Sequence, residues 1–146
     1  NIPPTATDQT EVDVERYTAF NGGFGEKQLK WLENELEVAA KQNDKVFIFS
    51  HVPLVSQNNP KAPYEILAWD YKECKAIIDK YKNVVKAFFA GHDHDGDTKV
   101  NGILHRTLEG VIESDENTDC FATLYLYNDK FVIKGYGKIK DETYKY

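Results

Sequence analysis

The spacing of hydrophobic residues predicts two helices in the first half of the chain. From Glu26 to about Lys41, leucine and alanine recur every three or four residues with charged residues between them, which is typical of an amphipathic helix with one buried stripe. A second helix is expected to follow Asp70, a suitable N-cap residue with Glu73 three positions later. Its expected apolar face consists of Tyr71, Cys74, Ile78 and Tyr81. Both helices are therefore expected to pack on a sheet.

Short, continuous apolar runs at residues 46–49 and 84–90 predict two strands that are buried on both faces. Residues 1–21 are polar, contain two prolines and predict an N-terminal loop without a chemical role. The last third of the chain favours β-structure, and an Asn128-Asp129 turn makes its final two strands a hairpin. The strands expected there are Ile103–Leu108, Cys120–Tyr127 and Phe131–Tyr136. This order of elements predicts an α/β fold with helices packed outside a mixed sheet.

Length and composition limit the chain to one hydrophobic core. Its 146 residues are about one domain or a large part of one. The net charge of -6 argues against a nucleic-acid or anionic-membrane surface, because phosphate-rich partners are bound by clustered cations. No apolar run is long enough to span a membrane. Two well-separated cysteines, Cys74 and Cys120, are expected to be reduced thiols in a cytoplasmic protein.

Three histidines follow the two buried strands, at the edge of the sheet where α/β folds gather their ligands. His92 and His94 stand one residue apart on a turn opened by Gly91, and His51 follows the neighbouring strand. Imidazole nitrogen is a good ligand for manganese, iron and zinc, and rigid strand ends hold it in place. The alternative is a solvated polar turn with unrelated histidines. The pattern favours a metal site formed by His51, His92 and His94.

Three further residues are weaker candidates for this site. Asp95 is a possible acceptor for the N–H group of a metal-bound imidazole, and the rings of Trp69 and Tyr71 are possible contacts for a base or a sugar. A solvated turn for Asp95, and helix packing for the two rings, are the alternatives. His105 lies inside a predicted strand and is expected to be hydrogen-bonded and unligated. The chain contains no Gly-rich phosphate loop and no GxSxG nucleophile motif.

Two motifs resemble the last two motifs of the calcineurin-like metallophosphoesterase superfamily. They are Phe49-Ser50-His51-x-Pro53 and Phe88-Phe89-Ala90-Gly91-His92-Asp93-His94. Three more segments are similar to the manganese-dependent ADP-ribose/CDP-alcohol diphosphatases within that superfamily. These segments are Phe20-Asn21-Gly22-Gly23-Phe24, Leu67-Ala68-Trp69-x-Tyr71 and Leu108-Glu109-Gly110-Val111-Ile112-Glu113. The resemblance runs from about Tyr17 to the C-terminus.

This resemblance implies the C-terminal half of a four-layer α-β-β-α sandwich with mixed sheets. It also implies two divalent metal ions, expected to be Mn²⁺ with Zn²⁺ or Fe as alternatives. By resemblance, His51 and His92 bind one metal ion and His94 binds the other. The implied reaction is hydrolysis of the phosphoanhydride bond in nucleoside-diphosphate-linked small molecules such as ADP-ribose and CDP-alcohols.

The family's upstream motifs, which carry a bridging aspartate, an asparagine ligand and an acid histidine, have no match in this chain. We therefore expect residues 1–146 to be the C-terminal part of a single domain whose N-terminal part supplies these groups, the proton donor included. The 146 residues alone are expected to be inactive. A cyclic-nucleotide phosphodiesterase or a phosphomonoesterase of the same superfamily is an alternative. A non-catalytic scaffold is another, although scaffolds tend to lose their ligand histidines, and all three are present here.

Overall fold

The computed structural model describes residues 20–58 and 65–146. The predicted N-terminal loop, residues 1–21, lies outside the described residues except for residues 20 and 21. Both predicted helices are confirmed as α1 (Gly25–Gln42) and α2 (Tyr71–Lys80). The strands are β1 (Val46–Phe49), β2 (Val85–Ala90), β3 (Asp97–Val100), β4 (Leu104–Thr107), β5 (Cys120–Leu126), β6 (Lys130–Gly137) and β7 (Glu142–Lys145). No helix in these two ranges is long and apolar enough to cross a membrane.

The strands form two sheets. In the first sheet the order is β1-β2-β4-β3, with β1, β2 and β4 parallel and β3 antiparallel to β4. In the second sheet β5, β6 and β7 are antiparallel neighbours. The first sheet is mixed, as the sequence predicts, and the predicted hairpin is the β5–β6 pair. The fold is therefore mixed α/β.

Strand β2 lies in the middle of the layers and separates two hydrophobic clusters. Phe88 is buried on one face of the sheet together with Leu36 of α1 and Ile78 of α2. Its neighbours in the strand, Ala87 and Phe89, are buried on the other face in the cluster that contains the β6 residues. Because successive side chains of a strand point to opposite faces, β2 is buried between the helices and the second sheet. This confirms the prediction that this strand is buried on both faces.

Strand β1 departs from its prediction. It is the first strand in the order of its sheet, its residues are only partly buried, and the ring of Phe49 is 68% exposed. A continuous apolar run indicates that both faces require cover, but it does not show which residues provide that cover. Among the described residues, β1 pairs with β2 only.

Two strands, β3 and β7, were not predicted. Their sequences, Asp-Thr-Lys-Val and Glu-Thr-Tyr-Lys, are mainly polar and carry no apolar run. Each strand pairs along one side only among the described residues, β3 with β4 and β7 with β6. A strand with one solvated face can be polar at many positions, so hydrophobic patterning alone does not detect it.

Asp70 precedes α2 as predicted, but its side chain makes no capping hydrogen bond to that helix. Its carboxylate instead accepts hydrogen bonds from the backbone N–H groups of Phe24, at 3.1 Å, and Gly25, at 2.7 Å. These groups belong to the first turn of α1, where N–H groups lack intrahelical partners and a negative charge is favourable. Asp70 therefore links the starts of the two helices.

Candidate metal centre

His51 and His92 are brought together by the pairing of β1 with β2. Beyond the ends of both strands, the Ser50 N–H group donates to Phe89 O at 2.9 Å and the Gly91 N–H group donates to His51 O at 3.0 Å. The parallel pairing thus continues up to the histidines. The two imidazole rings lie 5.3 Å apart, centroid to centroid, at an interplanar angle of 73°.

The loop after β2 turns sharply at His92. This residue has a φ of 72°, in the left-handed region that non-glycine residues seldom adopt. The turn is closed by a hydrogen bond of 2.8 Å from the Asp93 N–H group to Gly91 O. Unusual backbone geometry of this kind is concentrated at functional sites, where the surroundings hold it in place.

His94 is held by the segment 108–114, which follows β4. The Leu108 N–H group donates to Ala90 O, and the Gly110 N–H group donates to His94 O, both at 2.9 Å. A Cβ atom at Gly110 would lie 2.6 Å from Cγ of His94. Such a distance is too short for carbon atoms, so the close approach of the segment to His94 requires glycine at position 110.

Two of the three imidazoles accept or donate a hydrogen bond through one ring nitrogen. Nε2 of His92 lies 2.6 Å from Oδ1 of Asn21, and Nδ1 of His94 lies 2.6 Å from Oε1 of Glu113. The sequence did not single out either partner as a site residue, and Asn21 is the last residue of the N-terminal segment for which no chemical role was expected. Both residues lie within the segments that carry the family resemblance, and this resemblance is the feature of the sequence that could have identified them.

The pKa of His92 is lowered from its ordinary value. Burial is the largest cause, because it penalises the charged ring, and the neighbouring His51 and His94 lower it further, against a smaller opposing effect of Asp93. The neutral form is the one that binds metals, so this environment suits a ligand.

All three histidines line a cavity of about 450 Å³. The cavity lies at the carboxyl edge of the first sheet, and one wall consists of Ala122, Leu124 and Ile133 from the second sheet. The imidazoles therefore face a space with a polar side and an apolar side. Such a mixture of apolar walls and few polar groups is typical of small-molecule sites.

The acidic residues of the histidine loop bind a different segment of the chain. Asp97 accepts from the N–H group and the amide of Gln57, at 2.6 and 3.1 Å, and Asp93 accepts from the amide of Asn58 at 3.1 Å. Asp95 is exposed, and its N–H group donates to Asp93 Oδ1 at 3.3 Å. The carboxylate that contacts an imidazole is that of Glu113, not Asp95. Asp95 remains a candidate without a contact that supports it.

Trp69 and Tyr71 lie at the start of α2. Trp69 is buried, and its backbone N–H group donates to Gly22 O at 2.9 Å. Its side chain is not among the residues that line the histidine cavity. Tyr71 is half-buried against the cluster beneath the helices. A contact of either ring with a base or a sugar stays a prediction.

His105 corrects one expectation. It is buried at 5% exposure on β4, but neither ring nitrogen has a hydrogen-bond partner among the described residues. Burial is the main reason that its pKa is lowered to about 4, with Lys75 and Lys99 lowering it and Asp79 raising it. The ring is therefore neutral at physiological pH, and it lies outside the histidine cavity.

Neither cysteine is in a disulfide bond. Burial is the main cause that raises the pKa of the Cys74 thiol, to about 12, and the nearby Asp70 adds to the shift. A protonated, buried thiol is inert as a nucleophile. Cys74 is thus a packing residue, in line with the absence of a cysteine motif in the sequence.

The three imidazoles fit part of a metal site. Their nitrogens suit transition-metal ions, two of them carry an oxygen partner on the other ring nitrogen, and all three face one cavity. Within residues 20–58 and 65–146, however, no group of three or more His, Cys, Asp and Glu side chains is arranged to hold a metal ion. The described residues thus supply ligands without a complete ligand set.

The sequence and fold are similar to those of known phosphohydrolases. The chain is 40% identical to a manganese-dependent ADP-ribose/CDP-alcohol diphosphatase from Danio rerio over an alignment of 149 residues. The alignment covers 100% of this chain and 44% of the relative. It is 39% identical to the human enzyme of the same name, covering 90% of this chain and 38% of the relative. The crystal structure of a dimetal phosphatase from Danio rerio matches with a TM-score of 0.81 and 41% identity, over 90% of this chain and 41% of that one. No family model matches the chain.

The fold thus resembles that of a dimetal phosphatase. The relatives that the sequence matches are named manganese-dependent ADP-ribose/CDP-alcohol diphosphatases. The resemblance inferred from the sequence is confirmed. The chain spans about two fifths of the length of these relatives.

Proposed function

We propose that the full-length protein containing this chain hydrolyses the phosphoanhydride bond of nucleoside-diphosphate-linked small molecules such as ADP-ribose and CDP-alcohols. The observation that carries this proposal is the meeting of His51, His92 and His94 at one cavity in a chain about 40% identical to enzymes of that name. The products would be a nucleoside monophosphate and a phosphorylated small molecule.

His51 and His92 would hold one metal ion, and His94 a second, as the family resemblance implies. The relatives' names favour Mn²⁺, with Zn²⁺ or Fe as alternatives. Divalent ions bound there would supply Lewis-acid chemistry to the phosphate oxygens of a diphosphate. The chain's own contribution is to keep the His92 ring neutral through burial, to orient His92 and His94, and to line the site with the apolar wall from the second sheet.

The remaining donors would come from the rest of the polypeptide. We propose that residues 1–146 form one domain with an N-terminal part that supplies the other ligands and the proton donor. The incomplete ligand set and the two-fifths coverage of the relatives support this proposal. We further propose a cytoplasmic protein whose partner is a nucleotide rather than a nucleic acid, in line with unbridged cysteines and a net charge of -6.

The test is a substrate panel on the full-length protein with Mn²⁺. ADP-ribose, a CDP-alcohol, a cyclic nucleotide and a phosphomonoester are compared, and the products are identified. We expect AMP and CMP from the first two substrates. Hydrolysis of only the cyclic nucleotide or the monoester would replace the proposed substrate class, and no hydrolysis of any substrate would favour a non-catalytic scaffold.

A second experiment tests the proposed dependence on the rest of the polypeptide. Residues 1–146 are expressed alone and assayed for Mn²⁺-dependent ADP-ribose hydrolysis beside the full-length protein. We expect no turnover from the 146 residues, because a two-metal site requires more donors than they provide. Comparable turnover would contradict this expectation.

A further inference from the structure

Asn21 is held so that only its oxygen can face His92. Its side chain is 6% exposed, and its amide nitrogen donates to Leu67 O at 2.9 Å. The amide oxygen is then the atom 2.6 Å from Nε2 of His92. An amide oxygen only accepts hydrogen bonds, so the proton must reside on Nε2. The lone pair of a neutral His92 is consequently on Nδ1.

Glu113 imposes the opposite arrangement on His94. Its carboxylate oxygen lies 2.6 Å from Nδ1, and an ionised carboxylate accepts hydrogen bonds without donating any. The proton of a neutral His94 is therefore on Nδ1, and the lone pair is on Nε2. The Gly110 N–H group donates to His94 O, and a Cβ atom at Gly110 would lie 2.5 Å from Oε2 of Glu113 and 2.6 Å from Cγ of His94, so both side chains pack against this glycine.

We propose that Asn21 and Glu113 are positioning residues that fix opposite tautomers in His92 and His94, so that His92 presents Nδ1 and His94 presents Nε2 to the metals. The metal part of this inference rests on the proposed function. Nδ1 is next to the ring carbon that bears the side chain, whereas Nε2 is on the far side of the ring. Two histidines one residue apart thereby offer their lone pairs at different distances from the loop that carries them.

The tautomers can be measured without a metal. The full-length protein, labelled with ¹⁵N in histidine and stripped of metal, is studied by NMR at pH 8. We expect His92 to carry its proton on Nε2 and His94 to carry its proton on Nδ1. The second assignment is the more diagnostic, because free histidine prefers the proton on Nε2. Glu113→Ala should return His94 to that preference, whereas Glu116→Ala, at an exposed position three residues further along the chain, should not.

Affinity for Mn²⁺ is the second measurement, made by competition with a chelator. Glu113→Ala and Asn21→Ala should each weaken binding by about 10–100-fold, as losses of such partners typically do. Glu116→Ala and Asn34→Ala, on the exposed side of α1, should change it less than twofold. A wild-type His94 protonated on Nε2, or unchanged Mn²⁺ affinity in both alanine variants, would overturn the proposal. If the wild-type protein binds no Mn²⁺, the proposed function fails, and the NMR result still decides the tautomers.

Discussion

Arg106 of β4 and Glu142 of β7 form an ion pair of 2.8 Å that joins the two sheets. Arg106 is only 3% exposed, and it also pairs with Glu109 at 2.9 Å, while Tyr144 donates a hydrogen bond to the other oxygen of Glu142. A buried arginine in the middle of such a network is costly to leave without its partners.

The first prediction concerns this ion pair. Glu142→Ala should lower the free energy of unfolding of the full-length protein by about 3 kcal/mol, because it leaves a buried charge partly uncompensated. Urea unfolding measures the change. The matched control is Lys41→Ala, which breaks the exposed Lys41–Glu37 pair and should have little effect. Equal effects of the two variants would show that the Arg106 network does not hold the sheets together.

The second prediction concerns the carboxylate that links the two helices. Asp70→Ala should lower the free energy of unfolding by about 1 kcal/mol, because the N–H groups of Phe24 and Gly25 lose their acceptor. Asp70→Asn retains an acceptor oxygen and should lose less. Urea unfolding of both variants provides the comparison, and an alanine variant as stable as the asparagine variant would refute the capping role.

The third prediction is a pH dependence of stability due to His105. Its pKa is about 4 in the folded chain, below the 6.5 expected when unfolded, so between these values the unfolded state binds more protons. Stability is therefore lost as the pH falls from 6.5 to 4, by about 3 kcal/mol at most. The charged groups near the ring are Lys75 and Asp79 of α2 and Lys99 of β3.

His105→Leu should remove this part of the pH dependence. The measurement is urea unfolding of the full-length protein at several pH values, with the wild-type and variant curves subtracted so that other titrating groups cancel. Above pH 6.5 the two curves of unfolding free energy against pH should have the same slope. Below pH 6.5 the wild-type protein should lose stability faster than the variant. Parallel curves across the whole range would contradict the shifted pKa.

The fourth prediction concerns the metal ligands. In crystals of the full-length protein soaked in Mn²⁺, anomalous peaks should lie about 2 Å from nitrogens of His51, His92 and His94. His92→Ala should reduce turnover by several orders of magnitude, because a lost ligand disturbs metal occupancy. His105→Leu is the control and should keep its manganese content. A His92→Ala variant with more than half of the activity would refute the assignment.

Local pattern determined much of this protein. The helical spacing of apolar residues within 26–41 predicts α1, and the apolar run at 84–90 predicts β2. Both patterns are local, because they depend only on residues that are close in the sequence. The position of His51 and His92 after parallel strands follows from the same patterns, and the structure places the two rings side by side. The motifs around these histidines sufficed to indicate the family.

Tertiary structure decided what local pattern cannot show. Strands β3 and β7 are polar and exist because a neighbouring strand pairs with them. Asp70 caps a helix 45 residues away in sequence rather than its own. The oxygen partners of His92 and His94 come from 71 and 19 residues away, so only the folded chain assigns Asn21 and Glu113 to these imidazoles. Hydrogen bonds depend on distances in space, and the sequence fixes those distances only through the packing of the whole fold.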